Sequence, residues 1–125
     1  MANQQTNVEF EEPVLVFSCS GCADVGAVAD QAARRLAREG VGKQFCLAGV
    51  GGRIQPIMER TATAKRLLAI EGCNLECVSN CLKQAGFTHY VQLRLADLGL
   101  EKGRTDISRE NVTKVTEKAK ALLGI

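Results

Sequence analysis

Two uninterrupted apolar runs, at residues 14–17 and 67–70, constrain the fold of this chain more than any other feature of its sequence. A strand with one solvent-exposed face alternates polar and apolar residues, whereas these runs have no polar face. Such strands are typical of the centre of a parallel sheet that helices cover on both sides. Helical periodicity follows each run, at residues 24–39 and 74–85, and Asn74 is the predicted N-cap of the second helix.

The rest of the chain repeats this alternation of strand and helix. Residues 43–48 form a predicted second strand, 49–52 a glycine-rich turn, and 56–64 a short helix. Residues 89–95 alternate apolar and polar side chains, which indicates an edge strand, and a last helix covers residues 109–123. The sequence therefore predicts a single-domain, three-layer, Rossmann-like α/β fold with a four-stranded, mainly parallel sheet in the order 2-1-3-4.

Composition and charge exclude several classes of function. The net charge is +2 and the basic residues are dispersed, so nucleic acid is not a predicted partner. No apolar stretch approaches the roughly 20 residues that a membrane-spanning helix needs, so no membrane association is predicted. Residues 1–12 are polar and acidic and are predicted to be a loose lead-in without a secretory signal. We therefore expect the domain, residues 13–125, to be cytoplasmic.

Six cysteines in 125 residues are the main indication of function. In a chain without an export signal, metal binding or thiol chemistry explains them better than a disulfide framework, although cysteines also pack as small buried hydrophobes. Cys19 and Cys22 follow the first strand, and Cys73 and Cys77 follow the third. Sites in open α/β sheets form at the carboxyl ends of strands, where the strand order reverses. Both cysteine pairs are therefore predicted to meet in one crevice.

Four thiolates in one crevice suit a metal ion. Zn²⁺ prefers tetrahedral ligands, with sulfur at roughly 2.3 Å, and a Cys-x-x-Cys segment offers two sulfurs from one turn. Helix N-termini, where these cysteines are predicted to lie, favour thiolate over thiol. We therefore predict that the metal ligands are Cys19, Cys22, Cys73 and Cys77.

The position of each remaining candidate residue suggests a different role. Cys46 is predicted to lie inside the second strand. Its role there is a fifth metal ligand, a thiol that contacts the ligands without binding the metal, or a core residue. Cys81 flanks the apolar stripe of its helix, so packing explains it. His89 begins its strand and is therefore expected at the amino edge of the sheet, opposite the crevice. Lys102 follows the fourth strand and either offsets thiolate charge or belongs to a solvated loop.

Three segments of the sequence resemble the DGC domain proteins, a family named for an Asp-Gly-Cys motif. They are 18–22 (Ser-Cys-Ser-Gly-Cys), 46–52 (Cys-Leu-Ala-Gly-Val-Gly-Gly) and 69–73 (Ala-Ile-Glu-Gly-Cys). The resemblance extends over nearly the whole chain and implies a zinc-binding domain. Carried over by position, it implies the ligands Cys19, Cys22, Cys73 and Cys77, with Cys46 in a further family motif.

The chain departs from the motif at one position, where Glu71 replaces the aspartate for which the family is named. Both residues are acidic, so a role in capping backbone groups or in supporting the ligands is compatible with glutamate. A direct role that needs the shorter side chain is not expected.

Three functions remain open from the sequence. A zinc-binding protein with a thiolate site at the carboxyl ends of the first and third strands is the leading prediction. The alternative is a thiol redox or sulfur-transfer protein that uses Cys19, Cys22 and Cys73. An iron–sulfur protein ranks third, because the cysteine spacing differs from the ferredoxin patterns. No nucleophile–base pair is recognisable, so catalysis is not claimed, and the sequence does not identify a protein partner or a small-molecule substrate.

Overall fold

The computed structural model describes residues 14–19, 21 and 23–125, and the predicted lead-in at 1–12 lies outside them. Strands and helices alternate along the described chain. The strands are β1 (Val14–Ser18), β2 (Lys43–Gln44), β3 (Arg66–Glu71) and β4 (Val91–Arg94), and the helices are α1 (Asp24–Arg38), α2 (Leu47–Gly51), α3 (Gln55–Thr63), α4 (Cys77–Gln84) and α5 (Arg109–Leu123). A 3₁₀ turn, Leu95–Leu98, follows β4.

The strands form one parallel sheet in the order β2-β1-β3-β4, which confirms the predicted order. β1 pairs with β3 from Val14, opposite Arg66, to Ser18, opposite Ile70. Every residue of β1 is buried, which is the environment that an uninterrupted apolar run requires. Within β4, Leu93 alone is buried, as expected for a strand at the edge of the sheet.

Helices cover both faces of the sheet and make the three predicted layers. Alternate residues of the buried strands enter two separate cores, so Val16 packs with residues of α1 and α5, whereas Phe17 packs with residues of α2 and α4. Full burial of one such aliphatic or aromatic side chain contributes about 1.5–3 kcal/mol to stability. The sheet is therefore held from both sides, and its carboxyl edge is left for the loops that carry the cysteines.

The segment after β2 differs from the prediction. The predicted strand at 43–48 ends at Gln44, and most of the predicted turn at 49–52 is the short helix α2. The Sγ atom of Cys46 accepts a hydrogen bond of 3.2 Å from the backbone N–H of Gly49, and this side-chain cap begins the helix. The predicted position of Cys46 inside a strand is therefore wrong, because the residue lies beyond the carboxyl end of β2.

The ends of the four predicted helices agree with the prediction to within one residue, except at the N-terminus of α4. α5 spans the predicted residues, and the hydroxyl of Ser108 accepts a hydrogen bond from the N–H of Asn111 at its N-terminus. α4 begins at Cys77 and not after Asn74, because the carboxylate of Glu71 accepts hydrogen bonds from its first N–H groups. No helix in the described part of the chain is long and apolar enough to cross a bilayer.

Candidate functional site

The loops that follow β1 and β3 lie side by side at the carboxyl edge of the sheet. Ser18 pairs with Ile70, and the backbone N–H of Cys19 donates a hydrogen bond of 3.3 Å to the Ile70 carbonyl. Pairing of the two central strands therefore continues into the first cysteine of the site. Cys73 follows the last residue of β3 by two positions, on the neighbouring loop.

Two glycines allow the two loops and the start of α1 to touch backbone to backbone. A Cβ atom on Gly72 would lie 3.1 Å from the backbone N atom of Gly26 and 3.1 Å from the carbonyl carbon of Val25. A Cβ atom on Gly26 would lie 3.0 Å from the carbonyl oxygen of Gly21. These separations are shorter than ordinary contacts of carbon atoms. Glycine at both positions is therefore what lets both cysteine-bearing loops pack against the start of α1.

Replacement of Gly72 by alanine should push the loop after β3 away from the start of α1. The new methyl group meets backbone atoms, which cannot rotate away, so we expect a loss of about 1–3 kcal/mol in the free energy of unfolding. Urea denaturation measures this loss. Gly52→Ala is a matched control, because its Cβ would lie no closer than 3.4 Å to a neighbour. Equal stability of the two variants would show that the loop after β3 is not tightly packed against α1 at Gly72.

A buried carboxylate, Glu71, determines where α4 begins. The side chain is 1% exposed and accepts hydrogen bonds from the backbone N–H groups of Val78, at 3.1 Å, and Ser79, at 2.7 Å. The Ser79 hydroxyl also donates to it, and the side-chain amide of Gln92 lies 3.5 Å away. Glu71 thus satisfies N–H groups that have no partner inside the helix. This is the capping role that its acidity allows.

Cys77 is the first residue of α4 and follows a residue in an uncommon conformation. Glu76 has a φ of 53° and a ψ of 49°, the left-handed region that side-chain-bearing residues seldom adopt. Its carboxylate lies 3.5 Å from Nε of Arg94 and 3.3 Å from Nε2 of Gln92. Contacts from Arg94 and Gln92 of β4 therefore hold the turn at Glu76 that precedes Cys77. A left-handed backbone at a residue with a side chain persists where the surrounding structure maintains it.

The thiols of Cys19 and Cys73 lie close enough to Cys77 to act on it electrostatically. The pKa of Cys77 is raised, first because partial burial penalises the charged thiolate and then because Cys19, Cys73 and Glu71 add negative charge nearby. Lys102 acts in the opposite direction. Three predicted ligands are thus brought to one edge of the sheet.

The loop after β4 reaches this edge because Asp24 holds it. The Asp24 carboxylate accepts hydrogen bonds from the backbone N–H groups of Gly103, at 2.9 Å, and Thr105, at 3.0 Å, and these bonds lower its pKa. Lys102 consequently lines a cavity of about 300 Å³ together with Cys73. The sequence identified Lys102 as a neighbour of the thiols but did not indicate the role of Asp24.

The predicted ligand set extends beyond the described residues, because Cys22 lies outside them. Among residues 14–19, 21 and 23–125, no group of three or more His, Cys, Asp or Glu side chains is close enough to hold a metal ion. The sulfurs of Cys19, Cys73 and Cys77 therefore share an edge without forming a complete coordination shell in this part of the chain. Their soft thiolate chemistry fits zinc, and a shell would need Cys22 and a closer approach of the loops.

Cys46 and Cys81 lie on the other side of Cys77. All three line a cavity of about 530 Å³ between the β2–α2 turn and α4. Burial raises the pKa of the Cys81 thiol, which Arg53 opposes and Cys77 reinforces. His89 precedes β4 at the amino edge, where it lines a cavity with Arg66 and Tyr90, away from the cysteines. The sequence did not predict the cavity, because residues far apart in the chain form it.

Comparison with known proteins places these features in a family. The model of the DGC domain matches residues 15–119. The anaerobic and virulence modulator AnvM of Pseudomonas aeruginosa is 38% identical over 88 residues, which cover 70% of this chain and 67% of AnvM. No solved structure matches the chain. The resemblance of the three cysteine-bearing segments is confirmed, and this chain belongs to the DGC domain family.

Proposed function

We propose that this protein binds zinc through the thiolates of Cys19, Cys22, Cys73 and Cys77. The observation that carries the proposal is that both cysteine-bearing loops pack against the same turn of α1, where Gly72 and Gly21 each approach Gly26. This packing keeps Cys19 and Cys73, separated by about fifty residues of sequence, at adjacent strand ends. Membership of the DGC domain family supports the same assignment.

The electrostatics of the thiols also support a cation at this position. Cys19 and Cys73 raise the pKa of Cys77, because negative charge on either sulfur disfavours a thiolate at Cys77. A divalent cation reverses this balance, because coordination stabilises each thiolate. When bound, zinc would supply a link between the loops that follow β1 and β3. Lys102 would offset part of the excess negative charge of four thiolates.

Cys46 is left outside the four ligands, because it begins α2 beyond the end of β2 and lines a separate cavity with Cys81. AnvM is named as an anaerobic and virulence modulator, and that name supports a sensory site in this chain more than a catalytic one. A cytoplasmic location, where thiols stay reduced, belongs to the same proposal.

A thiol redox or sulfur-transfer function of Cys19, Cys22 and Cys73 is the second candidate. It is favoured by the position of Cys19, which follows β1 directly and lies within electrostatic range of Cys77 beside Cys73. Thiol–disulfide exchange needs one sulfur that reacts fast as a thiolate and another within reach. The two candidates differ in whether reagents modify the cysteines before a metal chelator is added.

Elemental analysis of anaerobically purified protein, with an absorption spectrum of the same sample, tests the proposal. We expect stoichiometric zinc, no visible absorption, and four thiols that become titratable only after a chelator is added. Metal-free protein with freely titratable thiols would contradict the zinc assignment. One fast-reacting thiol with a reversible disulfide would support the redox alternative, and iron with visible absorption would support a cluster.

A further inference from the structure

The cavity between the β2–α2 turn and α4 has the size and chemistry of a small-molecule site. Its volume of about 530 Å³ falls in the range of pockets that hold small organic ligands. Phe45, Leu47 and Ala48 provide apolar lining. Along one wall, the Asp30 carboxylate binds Nε of Arg34, at 2.9 Å, and the side-chain amide of Gln44, at 3.2 Å. The cavity thus combines apolar lining residues with a hydrogen-bonded polar cluster of Asp30, Arg34 and Gln44.

Two of the sulfurs that line this cavity have opposite hydrogen-bonding roles. Cys46 is exposed, and its Sγ atom accepts a hydrogen bond of 3.2 Å from the Gly49 N–H. Cys81 is half-buried, and its Sγ atom donates to the carbonyl oxygen of Leu47, at 3.6 Å. An exposed sulfur that accepts a hydrogen bond is suited to attack, and a sheltered sulfur that donates one is suited to react second.

The two sulfurs are also joined through one short segment. Cys81 contacts Leu47, the residue that follows Cys46, and its Sγ would lie 3.4 Å from a Cβ atom on Gly51 at the end of α2. A single N–H···S hydrogen bond holds the exposed Cys46 side chain, so rotation toward Cys81 costs little. The two thiols therefore open on the same cavity from α4 and from the start of α2.

We propose that this cavity binds a small organic disulfide with an apolar or aromatic body, and that Cys46 and Cys81 reduce it. The Cys46 thiolate attacks one sulfur of the ligand, so a mixed disulfide forms and the first organic thiolate leaves. Cys81 loses its proton to solvent and attacks the Cys46 sulfur, so a Cys46–Cys81 disulfide forms and the second organic thiolate leaves. The two protein thiols supply both electrons, and no further reactant is needed.

This reaction goes beyond the proposed zinc site and uses none of its ligands. Cys77 lines the cavity and is also a proposed zinc ligand. We assign the second step of the reaction to Cys81 instead, because Cys81 contacts Leu47, the residue that follows Cys46. A protein without zinc would still carry out the exchange, and a zinc protein without the exchange would still hold its metal. Failure of one proposal is therefore distinguishable from failure of the other.

The test treats the full-length, as-purified chain with a single equivalent of dithiobis(nitrobenzoate), an aromatic disulfide, followed by peptide mass mapping. We expect a Cys46–Cys81 disulfide in the unmodified protein and a trapped mixed disulfide on Cys46 in Cys81→Ser. Cys46→Ser should release the coloured thiolate about tenfold more slowly. A first adduct on any other cysteine, an unslowed Cys46→Ser variant, or a mixed disulfide on Cys46 that never closes would each overturn the proposal.

A second comparison tests whether the cavity binds the disulfide. Ala48→Phe places a bulky side chain on the lining at an exposed position and leaves both cysteines in the chain. It should slow the aromatic disulfide about tenfold while leaving the small hydroxyethyl disulfide nearly unchanged, because only the larger body needs the cavity. Equal effects on both reagents, or no effect on either, would overturn the assignment of the cavity. Circular dichroism of each variant confirms that it is folded.

Discussion

Replacement of Cys73 by serine is expected to abolish stoichiometric zinc binding. The serine hydroxyl stays protonated at neutral pH, so it cannot supply the thiolate that the predicted site uses. We expect the zinc affinity to fall by about 100-fold or more. Competition with a chromophoric chelator measures the affinity, and elemental analysis measures the zinc that remains after purification.

The matched control for this prediction is Cys81→Ser. Cys81 lies in the same helix as Cys77, one turn further on, but its Sγ atom donates to the Leu47 carbonyl in α2. This variant should retain zinc, whereas Cys19→Ser should lose it as completely as Cys73→Ser. Retention of stoichiometric zinc by Cys73→Ser would remove the third strand from the site, and with it the proposed four-ligand set.

Replacement of Glu71 by alanine is expected to lower the free energy of unfolding by about 3 kcal/mol or more. The substitution deletes the acceptor for two backbone N–H groups and for the Ser79 hydroxyl, all at a buried position. Unpaired donors that remain buried cost free energy, because water cannot replace the lost carboxylate. Urea denaturation, followed by circular dichroism, measures the change.

Two other acidic substitutions make this prediction specific. Glu71→Asp keeps the charge but shortens the reach by one methylene group, so we expect a smaller loss of stability than in Glu71→Ala. Glu76→Gln changes a partly exposed acid at the same end of α4, where surface ion pairs such as that with Arg94 contribute at most about 1 kcal/mol. A loss in Glu71→Ala no greater than in Glu76→Gln would show that the buried cap does not stabilise α4.

Much of the fold could be predicted because its signals lie in consecutive residues. Uninterrupted apolar runs indicate that both faces of β1 and β3 are buried, whereas alternation indicates one buried face in β4. Strands buried on both faces lie at the centre of the sheet and the alternating strand lies at its edge, so these patterns indicate the strand order. The helix ends of α1 and α5 follow from local periodicity and capping. The prediction failed after Gln44, where apolar residues suited to a strand instead follow the Cys46 cap into a helix.

The candidate site was predictable in its residues but not in its geometry. The position of each cysteine relative to a strand end, together with the sheet order, assigns Cys19 and Cys73 to one edge. Spacing does not show how close the sulfurs lie. Nor does it reveal that Cys46 and Cys81 share a cavity, since that cavity is enclosed by α2 and α4 only after both pack on the sheet.

The sequence by itself determined the parallel sheet, its order and the strand ends at which the cysteines lie, because burial and periodicity are properties of neighbouring residues. Only the tertiary structure decided that α4 begins at Cys77, that Glu71 caps it and that Gly72 contacts Gly26. Those features depend on atoms from separate segments of the chain, and their energies arise only when the segments pack together.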